Sequence, residues 1–287
     1  MAQDTVRDWE FTDDRGHLVR AAHRPSRVVA YLPTAAALHD HGIRPAGVFG
    51  SAHDDPAVPD PAKSGGLPLE GLAYFGAGSA LDLDALLAAR PDLVVALTYG
   101  GGQVYGIDPE AAKHLEQQLP LVVLDVGGGH DLAAIRDRLT ALARSLGATE
   151  QPAAEDELAA AERRLTEAAA ATARPRVLAL SPAGPDSVHL ARPYAWPDLA
   201  ALAGLGVGLV DPAPGQGANW ATTTWPEAAA LEPDLVLTDV RSNASALGDA
   251  LGQGVRTLPW NPELPPSARQ HARVYGELAD ALEAARG

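Results

Sequence analysis

Short apolar runs without a polar alternate recur along this chain, separated by longer stretches rich in Ala and Leu. Residues 27–32 (Arg-Val-Val-Ala-Tyr-Leu), 46–49, 93–97 and 121–126 are such runs. Their length and their Val and Leu content predict strands buried on both faces, as in a parallel sheet. Between them the pattern predicts a helix opening at Pro33-Thr34 and running to about His41, and two more over 83–89 and 131–146. Strand–helix alternation of this kind predicts an α/β fold.

The same order then returns about half a chain length later. Arg176-Val177-Leu178-Ala179-Leu180-Ser181-Pro182 echoes the run from Arg27 to Pro33, and Pro233-Asp234-Leu235-Val236-Leu237 echoes Pro91-Asp92-Leu93-Val94-Val95. Each Pro-Asp-Leu follows a predicted helix, over 83–90 in the first half and 225–232 in the second. Two independent α/β units using common strand residues would also give such echoes, but two matches in one order favour paired lobes. Between the halves, residues 152–173 are nearly all strong helix formers. Pro152 suits a first turn, and Glu155, Asp156 and Glu157 early with Arg163 and Arg164 later complement the helix dipole. About 20 residues at ~1.5 Å each span ~30 Å, one domain diameter. The expected organisation is a lobe over 1–150, a helix over 151–173 that resists wide hinging, and a lobe over 174–287.

Charge and composition narrow the function. Asp and Glu number 37 against 22 Lys and Arg, a formal charge of −15, which repels phosphate backbones and argues against nucleic-acid binding. Cysteine is absent, which removes disulfides, thiolate metal sites and cysteine nucleophiles together. No apolar run approaches the ~18–20 residues that span a bilayer. The opening Met-Ala-Gln-Asp-Thr-Val-Arg-Asp-Trp has no apolar core of a signal peptide. The expectation is a cytoplasmic chain if Met1 is the native start, or an exported one whose signal is absent from this sequence.

Ligands of open parallel sheets bind beyond the carboxyl ends of strands. Those positions carry Tyr99, Gly100–Gly102 and Tyr105; Gly127–Gly129 and His130; the loop after Leu180 with Arg192, Tyr194 and Trp196; and Arg241 after Leu237. Four of the five tryptophans, Trp196, Trp220, Trp225 and Trp260, lie in the second half, Trp260 just beyond a strand predicted at 255–258. They either cover the core or wall a site for a bulky organic ligand. The glycine triplets form neither a dinucleotide nor a P-loop fingerprint. His39 and His41 would point about 200° apart on a helix and cannot readily share an ion, and His53 and His130 lack an evident third ligand. There is no Gly-x-Ser-x-Gly elbow. Asp54-Asp55 and the pair Glu110 and Glu116 read as solvated surface. No residue set calls for catalysis, a resident metal or a cofactor, so the chain reads as a non-enzyme.

Three stretches carry a family resemblance: Trp9-Glu10-Phe11-Thr12-Asp13-Asp14-Arg15-Gly16, Arg24-Pro25-Ser26-Arg27-Val28-Val29-Ala30-Tyr31, and Gly42-Ile43-Arg44-Pro45-Ala46-Gly47-Val48-Phe49-Gly50. Together they resemble the opening of ferric-siderophore substrate-binding proteins of ABC importers, especially the actinobacterial branch. The helix into Arg90-Pro91-Asp92-Leu93-Val94, the helix between the halves and a closing helix over 268–285 extend the likeness over essentially the whole chain. Cobalamin, haem and some metal-ion binders share the architecture.

The resemblance implies two Rossmann-like α/β lobes joined by one long rigid helix, with a cleft between them that grips one preformed ferric chelate. Arg and Tyr would then hydrogen-bond the chelating oxygens and Trp would pack on the organic scaffold. Tyr99, Arg192, Tyr194, Trp196, Arg241 and Trp260 lead the candidates, with Tyr31, Tyr105, His130 and Trp220 behind them. An acidic, aromatic-lined site suits a neutral or cationic trihydroxamate better than a strongly anionic triscatecholate. The resemblance also implies an extracytoplasmic, membrane-associated monomer that needs no cofactor and docks on an ABC permease through one acidic residue per lobe. In the first lobe that position is Asp84; in the second it falls on Pro226, with Glu227 one residue late. The same scaffold binding cobalamin or haem is the nearest alternative. A chelatase-like bilobal enzyme is the alternative from another class.

Overall fold

The computed structural model describes residues 8–127, 129–171, 175–247, 251 and 255–284. The chain divides into two compact units, residues 1–151 with 265–267, and residues 152–264 with 268–287.

The first unit opens with a hairpin, β1 (Trp9–Thr12) and β2 (Leu18–Ala21). It continues through β3 (Val28–Tyr31), α1 (Leu32–Asp40), β4 (Gly47–Gly50), β5 (Ala73–Ala77), α2 (Leu83–Ala88), β6 (Leu93–Thr98), α3 (Pro109–Gln118), β7 (Leu121–Asp125) and α4 (Leu132–Ser145). The sheet runs β5-β4-β3-β6-β7 and every pairing in it is parallel. Every residue of β3 and β6 is buried, as expected for unalternated apolar runs. Chain order reverses between β3 and β6, so the switch point of this sheet lies beyond Tyr31 and Thr98. Asp108 and Asp131 cap α3 and α4 by accepting from backbone N–H groups of their first turns. Residues 13–14 close the β7 edge: Asp13 accepts from Val123 N, Asp14 N donates to Val123 O, and Asp125 N donates to the Asp14 carboxylate.

The second unit holds α5 (Pro152–Ala171), β8 (Val177–Pro182), β9 (Val188–Ala191), α6 (Pro197–Gly204), β10 (Trp220–Thr223), α7 (Trp225–Ala229), β11 (Leu235–Asp239), β12 (Arg256–Trp260) and α8 (Ala268–Ala284). Of the helix predicted over 151–173, residues 172 and 173 lie outside the described residues. Helix α5 packs along α8 through Leu158, Leu165, Tyr275, Leu278 and Leu282, and Arg164 bonds Asp280 and Glu283 at 2.5 and 2.6 Å. The sheet order is β10-β9-β8-β11-β12. Strands β8, β11 and β12 are parallel, whereas β9 and β10 are antiparallel to their neighbours. This corrects two expectations: the segment after Leu180 is a hairpin into β9, not one long loop, and Trp260 ends β12 instead of following it. Trp220 opens β10.

The sequence echo has a physical basis. Asp92 accepts from the backbone of Ser26 and Arg27, and Asp234 accepts from the backbone of Arg176. Arg27 in turn donates to Ala89 O and Arg90 O, and Arg176 donates twice to Leu231 O. Each Arg–Asp pair therefore staples the start of one strand, β3 or β8, to the end of the helical segment that leads into its parallel neighbour, β6 or β11. The residue before each Pro-Asp, Arg90 and Glu232, takes a left-handed backbone with φ of 49° and 46°. That conformation ends the segment ahead of proline, and α7 stops at Ala229, short of the predicted Glu232.

Candidate functional site

Beyond the switch point of the first unit, three tyrosines step outward. Tyr31 ends β3 and is fully buried. Tyr105 meets it edge-on at 5.7 Å between ring centroids, and Tyr99 meets Tyr105 at 4.7 Å. Tyr99, just past β6, is 40 % exposed, so the row runs from core to solvent. Behind Tyr31, Lys63 Nζ donates to the phenol oxygen at 3.3 Å and pairs with Asp54 at 2.6 Å, both charged groups being almost wholly buried. Asp54 also accepts from Ser51 N and Oγ. Asp54 is thus core rather than the solvated surface its neighbour Asp55 suggested. Its partner lies nine residues on, and the only signal for it was Lys63 itself, one of two lysines in an arginine-rich chain.

The Tyr99–Tyr105 loop is set by its glycines. Gly100, Gly101 and Gly102 have φ of 101°, 67° and 71°, and a Cβ at Gly100 or Gly101 would meet nothing. Backbone conformation, not crowding, requires glycine there. Tyr105 N donates to Leu97 O and closes the loop onto the strand end. His130, half exposed, has Nε2 3.5 Å from Asp125. Gly128 lies outside the described residues.

In the second unit, Trp196, Trp220 and Trp260 pack edge-on at 4.9, 5.8 and 5.8 Å. Trp196 and Trp260 are 7 % and 4 % exposed, and their indole N–H groups donate to Asn219 O and to the Asp198 carboxylate at 2.6 Å. Trp220, less buried, is the edge of this cluster. Trp225 is core, its N–H donating to Gly184 O. Burial pushes the Asp198 carboxyl up to about 6 despite the Trp260 hydrogen bond. A cavity of about 30 Å³, room for one water, adjoins Asp198, Trp260, Asn261 and His271.

The two leading arginines differ. Arg241 lies against Asp239 at 2.8 Å and Glu263 at 3.2 Å, with Ser181 Oγ donating to the same Asp239. Burial opposes its charge, yet the two carboxylates hold its ionisation well above the ordinary arginine range. Arg241 thus serves a local cluster whose net charge is negative. Arg192, just beyond β9, is held by backbone carbonyls only. Tyr194 beside it is 72 % exposed.

The acidic positions also differ. Asp84 is exposed in the first turn of α2, which Asp82 caps. Glu227 instead closes a capping box with Thr224 and accepts from Thr223 Oγ1 as well. These bonds, Thr223 first, hold its carboxyl below the usual range. Among the described residues no group of three His, Asp or Glu side chains could hold a metal ion, and no helix is long and apolar enough to cross a membrane.

No protein-family model and no curated protein matches this chain. Solved structures do. DesE, a ferric-siderophore receptor protein from Streptomyces coelicolor, is 26 % identical, with a TM-score of 0.86 over 96 % of this chain and 98 % of its own. The haem-binding protein RhuT from Roseiflexus sp. RS-1 matches at 17 % identity and a TM-score of 0.64, over 91 % and 99 % of the two chains. FhuD from Vibrio cholerae, a siderophore-binding protein solved with Fe3+-Desferal, matches at 18 % identity and 0.60, over 91 % and 98 %. The similarity takes in both α/β units and nearly the full length of each chain. In fold as in sequence motifs, this chain is similar to the ferric-siderophore substrate-binding proteins of ABC importers.

Proposed function

We propose that the protein binds a ferric siderophore, of hydroxamate type, and delivers it to the permease of an ABC importer. The observation that carries this reading is the near-complete structural match to a ferric-siderophore receptor at 26 % identity. Tyr99 presents its phenol to donate to the chelating oxygens, with Tyr105 packed behind it. Trp220 offers the partly exposed indole face against which an organic scaffold packs. Charge supports the hydroxamate class: Arg241 is matched by two carboxylates, leaving too little free positive charge at the candidate positions for a trianionic chelate. Asp84, exposed in the first turn of α2, is the stronger docking residue; Glu227 docks through Oε1, its Oε2 being held by Thr223 and Thr224.

The test is a tryptophan-fluorescence titration with ferrioxamine, a ferric catecholate, haemin, cobalamin and ferric citrate, corrected with an unrelated Trp protein. Saturable quenching by ferrioxamine with Kd below ~1 µM is expected. A response confined to haemin or cobalamin would keep the scaffold and replace the ligand. Silence across the panel would overturn the transport reading.

A further inference from the structure

Arg192 is held below its hydrogen-bonding capacity. A guanidinium has five N–H donors. Its Nε donates to Gly217 O at 3.0 Å, but Nη1 reaches Pro212 O and Ala213 O only at 3.4 and 3.3 Å. Nη2 is sealed from solvent with no acceptor. All three acceptors are neutral carbonyls of the 212–217 loop, and among the described residues no carboxylate pairs with this guanidinium, unlike that of Arg241. A buried N–H without an acceptor is costly to keep, and a stronger acceptor is the group that would relieve it.

A cavity of about 820 Å³ opens beside this arginine, between the loop and the β9–β10 edge, with His189, Trp220 and Thr222 along it. That volume accepts a small organic group. Glu227 lines it as well, bonded to Thr223 at the end of β10. Among the described residues Glu227 makes no ion pair with Arg192, its carboxylate being held by Thr223 and Thr224. Gly215 lies over Nη2, where even a single Cβ would stand 3.6 Å from it.

We infer that this cavity is a carboxylate-selecting subsite: Arg192 takes a carboxylate carried on the periphery of the ligand. The protein then prefers ferric chelates bearing such a group over matched chelates ending in an amine. This deepens the proposed function and rests on it for the identity of the chelate. A carboxylate accepts from arginine in two parallel bonds of ~2.7–2.9 Å. Because Nη2 is covered, the carboxylate reaches it as the 212–217 loop lifts, exchanging the long Nη1 bonds for shorter ones and supplying Nη2 with an acceptor.

The experiment compares ferrioxamine B, which ends in an amine, with its N-succinyl derivative, by calorimetric titration of the full chain. Wild type should bind the succinylated chelate about 10-fold more tightly or better. Arg192→Gln should bring the ratio of the two affinities close to one. Gly215→Val should lower the ratio too by placing a side chain where the carboxylate would meet Nη2, and it leaves Arg192 and its carbonyl bonds in place, so a loosened loop in Arg192→Gln cannot imitate the result. Equal affinities in wild type, or an unchanged ratio in both variants, would overturn the subsite. If neither chelate binds, the proposed function fails, and free succinate then tests the cavity alone. A saturable shift of the Trp220 indole N–H resonance in wild type, lost in Arg192→Gln, keeps the subsite; no shift in wild type removes it.

Discussion

The two units start their central strands in the same way and end them differently. At the amino ends, Arg27 with Asp92 and Arg176 with Asp234 make matching staples. Beyond them, the first unit has a row of tyrosines past β3 and β6 that climbs from the core to solvent, while the second has three indoles that turn on one another, Trp260 at the end of β12, Trp220 at the start of β10 and Trp196 ahead of α6. Scaffold-making contacts recur because any parallel sheet needs its helices returned to the strand starts. Side chains outside those contacts are free to diverge. Tyr99 brings its phenol ring to the surface, whereas Trp196 and Trp260, bonded to Asn219 and Asp198, stay buried.

The sharpest way to break this contrast is at the root of the tyrosine row. Lys63→Met would leave Asp54 buried without its counter-ion, and a loss of ~3–5 kcal/mol is expected. Urea unfolding followed by tyrosine absorbance would report it; a loss below ~1 kcal/mol would mean the pair is not what anchors the row. In the second unit, Trp260→Phe keeps the ring contacts but takes the donor from Asp198, so a smaller stability loss of ~1–3 kcal/mol is expected. By contrast, Tyr99→Ala should weaken ferric-chelate binding about 10-fold or more with little change in melting temperature. If Trp260→Phe cut binding more than Tyr99→Ala did, the roles assigned to the two aromatic sets would be reversed.

A pH dependence distinguishes the units further. The Asp198 carboxyl sits at about 6 in the folded chain against an ordinary 3.8, so the folded state binds the proton more tightly. Its contribution is fully present below pH ~4 and is lost as pH rises through about 6. Wild type should therefore lose up to ~3 kcal/mol over that window relative to Asp198→Asn, compared by urea midpoints from pH 4 to 7. Parallel profiles of the two proteins would show that Asp198 titrates normally. The smallest effect belongs to the shared element. Arg90→Gly and Glu232→Gly each relieve a left-handed non-glycine residue, and each should gain from a few tenths to ~1 kcal/mol. Unequal gains would mean the two helix endings are not equivalent.

How much of this was legible in the sequence follows the range of the interactions. The fully buried strands announce themselves because no polar residue interrupts them, and Pro-Asp-Leu marks both staples because its parts are adjacent. Strand β9 hid because it is short and carries His189 at its centre, which breaks an apolar run. Asp54 and Lys63 hid because neither position hints at burial until the chain folds them together. The tryptophans were counted correctly, but composition says nothing about which indole spends its N–H indoors. Arg192 and Arg241 looked equivalent as strand-end arginines. Only the identity of their acceptors, carbonyls for one and carboxylates for the other, separates them.

The clasp on β7 has a consequence for how the chain tolerates being shortened. Residues 13–14 occupy the outward amide and carbonyl of Val123 and the amide of Asp125. A truncation past Asp14 would bare that edge along a strand of Leu and Val, the arrangement from which proteins aggregate by adding foreign strands. The opening hairpin thus acts as a guard against self-association, and trimming it would turn a well-behaved unit into one that precipitates.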